Sequence, residues 1–101
     1  MYLDNYIDQI RALCTENKVR RLFVFGSVLT DQFNESSDVD LLVDIAKSDP
    51  FDYAESYFDL KFKLQDLLKR PVDLLEEKSL KNTYLIENIN QTKKLIYEAW
   101  D

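Results

Sequence analysis

The chain has 101 residues, of which 46% are hydrophobic and 13% aromatic, a composition that predicts one domain with a single core of two packed layers. Its formal net charge is −6 and it has no long run of lysine and arginine, which argues against non-specific nucleic-acid binding. Because it contains no histidine and only one cysteine, the sequence excludes catalytic pairs of serine or cysteine with histidine, an internal disulfide and an ordinary structural zinc site.

The first third of the sequence predicts one helix, one strand and a short turn. Apolar residues spaced as on one helical face predict a helix over residues 3–16, with Cys14 on its buried side. The β-branched and aromatic residues of 19–25 predict a strand. Ser27 then stands where a helix N-cap is expected, ahead of a short segment over 28–32.

After a polar loop, strands and helices continue to alternate. Residues 39–45 predict a second strand, 51–69 the longest helix and 72–75 a third strand. A further helix is predicted to begin at Ser79, whereas 95–100 fits either a closing strand or a helical turn. This alternation predicts an α/β fold in which helices cover a small sheet.

Asp38 and Asp40 open the second predicted strand and flank the apolar Val39. Because strand side chains alternate between faces, the two carboxylates should point to the same side, with Cα atoms roughly 6.5–7 Å apart, while Val39 points into the core. That geometry suits one or two divalent ions, and Mg²⁺ binds carboxylates while leaving other positions to water and phosphate oxygens. Asp73 lies on a different apolar strand, where an acid is costly unless it is paired or coordinated.

The only glycine of the sequence, Gly26, ends the first strand just before Ser27. In a chain that otherwise avoids glycine, this one indicates a positive φ or the close approach of a ligand to the main chain. A strand that turns into a helix N-terminus exposes N–H groups suited to an anion, and the serine hydroxyl adds a donor. Gly26 and Ser27 are therefore predicted to bind phosphate.

The sequence of 23–27, followed after ten residues by that of 38–43, resembles the signature of the DNA polymerase beta-like nucleotidyltransferases. More narrowly, the chain resembles the minimal nucleotidyltransferases, whose members are about this short. The resemblance implies a mixed β-sheet flanked by helices, in a single domain over residues 1–101. It also implies transfer of a nucleoside monophosphate from a nucleoside triphosphate to an acceptor hydroxyl, with two Mg²⁺ ions.

The family's functional residues match five positions of this sequence. The resemblance implies that Asp38 and Asp40 are the metal-binding pair. Asp73 matches the third acid, which completes one metal site and helps to deprotonate the acceptor. Gly26 and Ser27 match the residues that hold the triphosphate.

Many minimal nucleotidyltransferases are antitoxins that add AMP to a tyrosine of a HEPN ribonuclease toxin. The resemblance therefore implies ATP as the substrate and a helical HEPN toxin as the partner. No contact with nucleic acid or membrane is expected. The sequence leaves open whether the protein forms a homo-oligomer. The single cysteine, together with the lack of a secretory signal or a long apolar run, predicts a cytoplasmic protein.

The sequence departs from the family pattern directly after Ser27. Relatives often carry basic residues at the first and third positions after the serine and a glycine close behind, whereas this stretch contains Val28, Thr30 and Asp31. Other cations would then have to neutralise the triphosphate, and the candidates are Arg20, Arg21, Lys61 and Lys63.

Three functional hypotheses follow. The first is an active AMP transferase, and the second is a module that keeps the fold and neutralises its partner by binding alone. The long helix carries four aromatic residues that cannot share one stripe and that could contact a partner, namely Tyr53, Tyr57, Phe58 and Phe62. The third hypothesis, modification of a small molecule such as an aminoglycoside, needs an additional domain or a dimer to form the acceptor pocket.

Overall fold

A four-stranded mixed sheet with three α-helices is formed by residues 1–99, the part of the chain that the computed structural model describes. The strands are β1 (Val19–Phe25), β2 (Val39–Ile45), β3 (Val72–Glu76) and β4 (Lys94–Glu98). The helices are α1 (Ile7–Glu16), α2 (Pro50–Leu68) and α3 (Thr83–Thr92), and short 3₁₀ turns cover Tyr2–Tyr6, Gly26–Leu29 and Glu77–Ser79.

The strands lie in the order β3-β2-β1-β4. β1 runs antiparallel to both β2 and β4, whereas β2 and β3 are parallel. A parallel pair requires a crossover connection, and α2 supplies it. The predicted fold class, a small mixed sheet flanked by helices, is confirmed.

The main core lies between the sheet and helices α1 and α2. Alternation along β2 turns Val39, Leu41, Val43 and Ile45 toward this core, and each is almost completely buried. Helix α2 contributes a stripe with a spacing of four residues: Ser56, Leu60, Leu64 and Leu68. Within the described part of the chain, none of the helices combines the length and the apolar character needed to cross a bilayer.

The opposite face of the sheet is covered less completely. Phe25, Leu42 and Ile89 form a small cluster beneath α3, with Phe23 packed beside them. The acidic residues of β2, which are described below, lie on the same face of the sheet as this cluster.

Cys14 is fully buried in α1, as predicted. Burial raises the pKa of its thiol to about 12, so the thiolate that a nucleophile requires is not formed near neutral pH.

Several element boundaries differ from the prediction. The first helix is divided at Tyr6, whose dihedral angles (φ −120°, ψ 5°) separate a 3₁₀ turn from α1. Helix α3 begins at Thr83 rather than near Ser79, because the Asn82 side chain caps it by accepting a hydrogen bond from the N–H of Leu85. The prediction that Ser27 is an N-cap was wrong, since the 3₁₀ turn already begins at Gly26.

The last element is a strand, so one of the two alternatives left open by the sequence is correct. Residue 100, which that prediction included, lies outside the described residues. On α2, Phe58 and Phe62 are exposed and Tyr53 and Tyr57 are half-buried, so the four aromatic side chains do not share one stripe.

Replacing Leu64 by alanine should lower the free energy of unfolding by about 2–5 kcal/mol, because the side chain is completely buried between α2 and the sheet. Phe51→Ala is the matched control on the same helix, since Phe51 is 87% exposed and its loss should change stability by about 0.5 kcal/mol or less. Urea denaturation followed by circular dichroism measures both variants. Equal losses would contradict the packing of α2 through its four-residue stripe.

Candidate active site

The sheet register brings Asp40 and Asp73 side by side. Asp40 on β2 is the register partner of Asp73 on β3 and, on its other side, of Phe25 on β1. Register partners on neighbouring strands point to the same face and lie roughly 5 Å apart. Asp38 precedes β2 by one residue, so the three predicted acids gather at one end of the sheet.

Asp40 is the least exposed of the three acids. Its partial burial, followed by the negative charges of Asp73 and Asp38, raises the pKa of the Asp40 carboxyl above its ordinary value of 3.8. Within residues 1–99, none of the three carboxylates takes part in a salt bridge. The fold therefore places three carboxylates near one another, and no cation of residues 1–99 is paired with them.

Asp44 shows the opposite arrangement four residues further along the same strand and on the same face. It is only 4% exposed, and three cations surround it: Arg21 at 3.3 Å, Lys78 at 3.6 Å and Arg20 at 4.0 Å. A buried carboxylate generally requires such partners. One end of the face is thus neutralised by the protein itself, whereas the end with Asp40 is not.

The side chains of the three acids do not converge on one point in the structure. Across residues 1–99, no group of three Asp, Glu, Cys or His side chains converges tightly enough to hold a metal. Asp38 and Asp73 are exposed, however, so each can change rotamer without displacing packed neighbours. The backbone placement and the all-carboxylate donor set fit a hard cation such as Mg²⁺.

Gly26 lies directly against Asp40. Its φ of +80° is one that residues with a side chain rarely adopt. A Cβ atom built on Gly26 would overlap Oδ2 of Asp40 and stand 3.2 Å from its Cγ. The positive φ predicted from the sequence is therefore found, and the close approach to the main chain is made by the Asp40 carboxylate.

The two positions after Gly26 where relatives often carry basic residues have other roles in this turn. Val28 is buried in the core, where a lysine or arginine would be costly. The hydroxyl of Thr30 donates to the carbonyl of Ser27 at 2.8 Å and accepts from the N–H of Gln32 at 3.2 Å. Both positions hold the turn together, a role that the sequence pattern does not reveal.

Three of the four candidate cations are engaged elsewhere. Arg20 and Arg21 pair with Asp44 at the far end of β1, five or six residues from Gly26, which corresponds to roughly 16–20 Å. Lys63 pairs with Asp59 at 3.2 Å and with Glu16 at 3.6 Å. The fourth, Lys61, is half-buried on α2.

Arg70 is a cation that the sequence reasoning missed. Its Nη1 atom donates to the carbonyls of Asn34, at 2.6 Å, and Ser37, at 3.0 Å, in the loop that leads to Asp38. The signal available in the sequence was its position three residues before Asp73.

Residues 8–100 match the protein family described as Polymerase beta, Nucleotidyltransferase. The chain belongs to this family. It is 36% identical over 80 residues to a protein of Methanocaldococcus jannaschii that is provisionally named as a protein adenylyltransferase, and the match covers 79% of this chain and 76% of the relative.

Two solved structures show the same fold. A chain provisionally named as a minimal nucleotidyltransferase superposes with a TM-score of 0.75 at 29% identity, over 91% of this chain and 90% of that one. A chain of a toxin–antitoxin crystal structure with AMP-PNP superposes with a TM-score of 0.71 at 25% identity, over 92% and 73%. The predicted resemblance to minimal nucleotidyltransferases is confirmed.

Gly26→Ala should destabilise the protein by about 1–3 kcal/mol, because alanine is strained at this φ and its Cβ would overlap the Asp40 carboxylate. A double-mutant cycle with Asp40→Ala separates the two causes. In the Asp40→Ala background the overlap is removed and only the backbone strain should remain, so the loss should be smaller. Identical losses in both backgrounds, measured by urea denaturation, would rule out the contact.

Asp40→Asn should be more stable than the wild type at pH 7, because the raised pKa shows that the folded protein disfavours the Asp40 charge. With a folded-state pKa above 3.8, the native state binds more protons than the unfolded state in the interval between the two values. The contribution of Asp40 to wild-type stability therefore falls as the pH rises through that interval, and the advantage of the variant should disappear below pH 3.8. Thermal unfolding of both proteins from pH 3 to 7 tests this, and a constant difference would contradict it.

Proposed function

We propose that this protein is a Mg²⁺-dependent nucleotidyltransferase that transfers AMP from ATP to a hydroxyl of a partner protein. The contrast between two acids on one face of β2 supports this proposal most strongly. Asp44 is neutralised by three cations, whereas Asp40 gathers with Asp38 and Asp73 without a cation paired to any of them in residues 1–99. Carboxylates that are brought together and left uncompensated are suited to a divalent ion.

The three acids have distinct proposed roles. Asp38 and Asp40 would hold the metal ions, and Asp73 would complete one metal site and accept the proton of the attacking hydroxyl. When bound, Mg²⁺ would neutralise charge on the triphosphate and on the leaving pyrophosphate. The bond from the acceptor oxygen to the α-phosphorus forms as the bond to pyrophosphate breaks, and the acceptor proton moves to Asp73.

Gly26 and Ser27 would hold the triphosphate beside these acids. The turn from Gly26 to Leu29 follows β1 directly, and Gly26 touches Asp40. A side chain at Gly26 would therefore intrude on both the carboxylate and the path of a phosphate. The Ser27 hydroxyl would donate a hydrogen bond to a phosphate oxygen.

The proposed acceptor is a tyrosine of a helical HEPN toxin. Three findings support it: the sequence resemblance, the relative named as a protein adenylyltransferase, and the similar chain in a toxin–antitoxin structure with AMP-PNP. In this role the protein acts as an antitoxin that inactivates its partner by covalent modification.

A second candidate function is neutralisation by binding alone. It is favoured by the turn after Ser27, where Val28 is buried and Thr30 closes the turn, so that neither position provides a cation for the triphosphate. The exposed and stacked rings of Phe58 and Phe62, with centroids 5.9 Å apart, offer apolar area for such a complex.

Incubation with labelled ATP, Mg²⁺ and a HEPN toxin encoded beside this protein should transfer label to the toxin. Asp38→Ala, Asp40→Ala and Asp73→Ala should each reduce the rate roughly 100-fold or more, because each removes a proposed metal ligand or the proton acceptor. Asp66→Ala is the matched control, since Asp66 is an exposed acid on α2 and its loss should leave the rate unchanged.

Calorimetry of complex formation distinguishes the two functions. A wild-type protein that binds the toxin tightly and transfers no label would contradict the transferase proposal and support neutralisation by binding. Transfer that survives in all three aspartate variants would exclude these acids as the catalytic centre.

A further inference from the structure

We infer that Arg70 is a positioning residue for the acids, one that fixes the loop before Asp38 to the chain segment that carries Asp73. This inference rests on the proposed metal-dependent function. It assigns to one arginine the relative placement of two proposed metal ligands that are 35 residues apart in the sequence.

Successive residues of one segment hold the peptide groups on both sides of Asp38. Nη1 of Arg70 donates to the carbonyl of Ser37 at 3.0 Å. The carbonyl of Pro71, the next residue, accepts a hydrogen bond from the N–H of Val39 at 3.1 Å. Asp38 is therefore fixed from both neighbouring residues, and its backbone position depends on that of residues 70 and 71.

The same segment continues directly into the third acid. Asp73 follows Pro71 by two residues and is the register partner of Asp40 in the parallel β2–β3 pair. A shift of residues 70–73 would therefore move Asp73 and the anchor of Asp38 together. The positions of Asp38 and Asp73 relative to Asp40 therefore depend on one segment, residues 70–73. The side chain of Arg70 makes the contact between this segment and the loop.

The guanidinium group lies over two neighbouring aromatic rings, whose centroids are 5.4 Å apart. Its central carbon lies 4.5 Å from the ring centroid of Tyr2 and 4.3 Å from that of Phe33. The Tyr2 hydroxyl donates to the carbonyl of Leu68 at 2.7 Å, which ties this stack to the end of α2. The planar guanidinium group of arginine can stack on aromatic rings while it donates several hydrogen bonds. The compact ammonium group of lysine does not combine these two properties.

Arg70 also provides side-chain hydrogen bonds between this loop and a distant part of the chain. Side-chain hydrogen bonds that start and end within residues 30–37 shape the loop locally, as when Oδ1 of Asn34 accepts from the N–H of Ser36 at 2.9 Å. Within residues 1–99, the side-chain hydrogen bonds that connect residues 32–37 with a part of the chain outside 30–37 are the two from Arg70. Without them the loop keeps its internal turns and loses its side-chain hydrogen bonds to the segment that leads into β3.

The test compares Arg70→Gln with Arg11→Gln in the full chain. Arg11 also donates from its guanidinium to a distant backbone carbonyl, that of Ile96 at 3.1 Å, and so serves as a matched control away from the acids. Arg70→Gln should weaken Mn²⁺ binding, followed by electron paramagnetic resonance, about tenfold, whereas Arg11→Gln should leave it near the wild-type value. Amide hydrogen exchange of residues 37–39 should accelerate about tenfold in Arg70→Gln alone.

Arg70→Lys adds a conservative variant and serves in place of Arg70→Gln if the latter does not fold. It keeps the charge and loses the fork and the stacking, so it should recover Mn²⁺ binding only in part. Wild-type-like Mn²⁺ affinity and exchange in the Arg70 variants, or an equal change in Arg11→Gln, would overturn the inference and leave the proposed function standing. Failure of the wild type to bind Mn²⁺ would overturn both.

Discussion

Mutual repulsion among three carboxylates is the constraint on which the organisation of this protein depends. Asp38, Asp40 and Asp73 meet at one end of the sheet, and their repulsion adds to the partial burial that already disfavours the charge of Asp40. Such an arrangement lowers stability, so the rest of the domain must hold it in place. The parallel β2–β3 pair does so, because its apolar residues on the other face are locked into the core with α1 and α2.

The acids at the two ends of β2 differ in whether cations are paired with them. Asp44 is more deeply buried than Asp40, yet it is surrounded by Arg20, Arg21 and Lys78. An isolated buried charge would be far more costly than a paired one, so these partners stabilise the folded protein. At the other end, no cation of residues 1–99 pairs with Asp38, Asp40 or Asp73, and their repulsion lowers the stability of the native state.

The same constraint accounts for the unusual use of glycine. Asp40 faces the site only because the main chain at Gly26 has no side chain to collide with its carboxylate. The turn that follows is completed by Thr30 and by the buried Val28 rather than by basic residues. In the proposed reaction, metal ions would therefore balance most of the charge on the triphosphate, so the placement of the acids would matter more than in a site with its own lysines and arginines.

The order of the elements and the identity of the clustered acids could be predicted from the sequence. Strand periodicity located β1, β2 and β3, and the motif around Gly26, Asp38 and Asp40 indicated the family before any contact was known. The beginning of α3 could not be predicted in the same way. Ser79 and Asn82 are both good capping residues, but in the structure Ser79 ends a 3₁₀ turn and its hydroxyl donates to Glu76, whereas Asn82 caps α3.

What the sequence determined by itself was local: the periodicity of each element, the special backbone of Gly26, and the presence of acids on apolar strands. The tertiary structure decided everything that depends on contacts between distant residues. It placed Asp73 beside Asp40, directed Arg20, Arg21 and Lys63 to other acids, and brought Arg70 to the loop before Asp38. Sequence spacing constrains neighbours along the chain, whereas the neutralisation of a charge depends on which strands and loops meet in space.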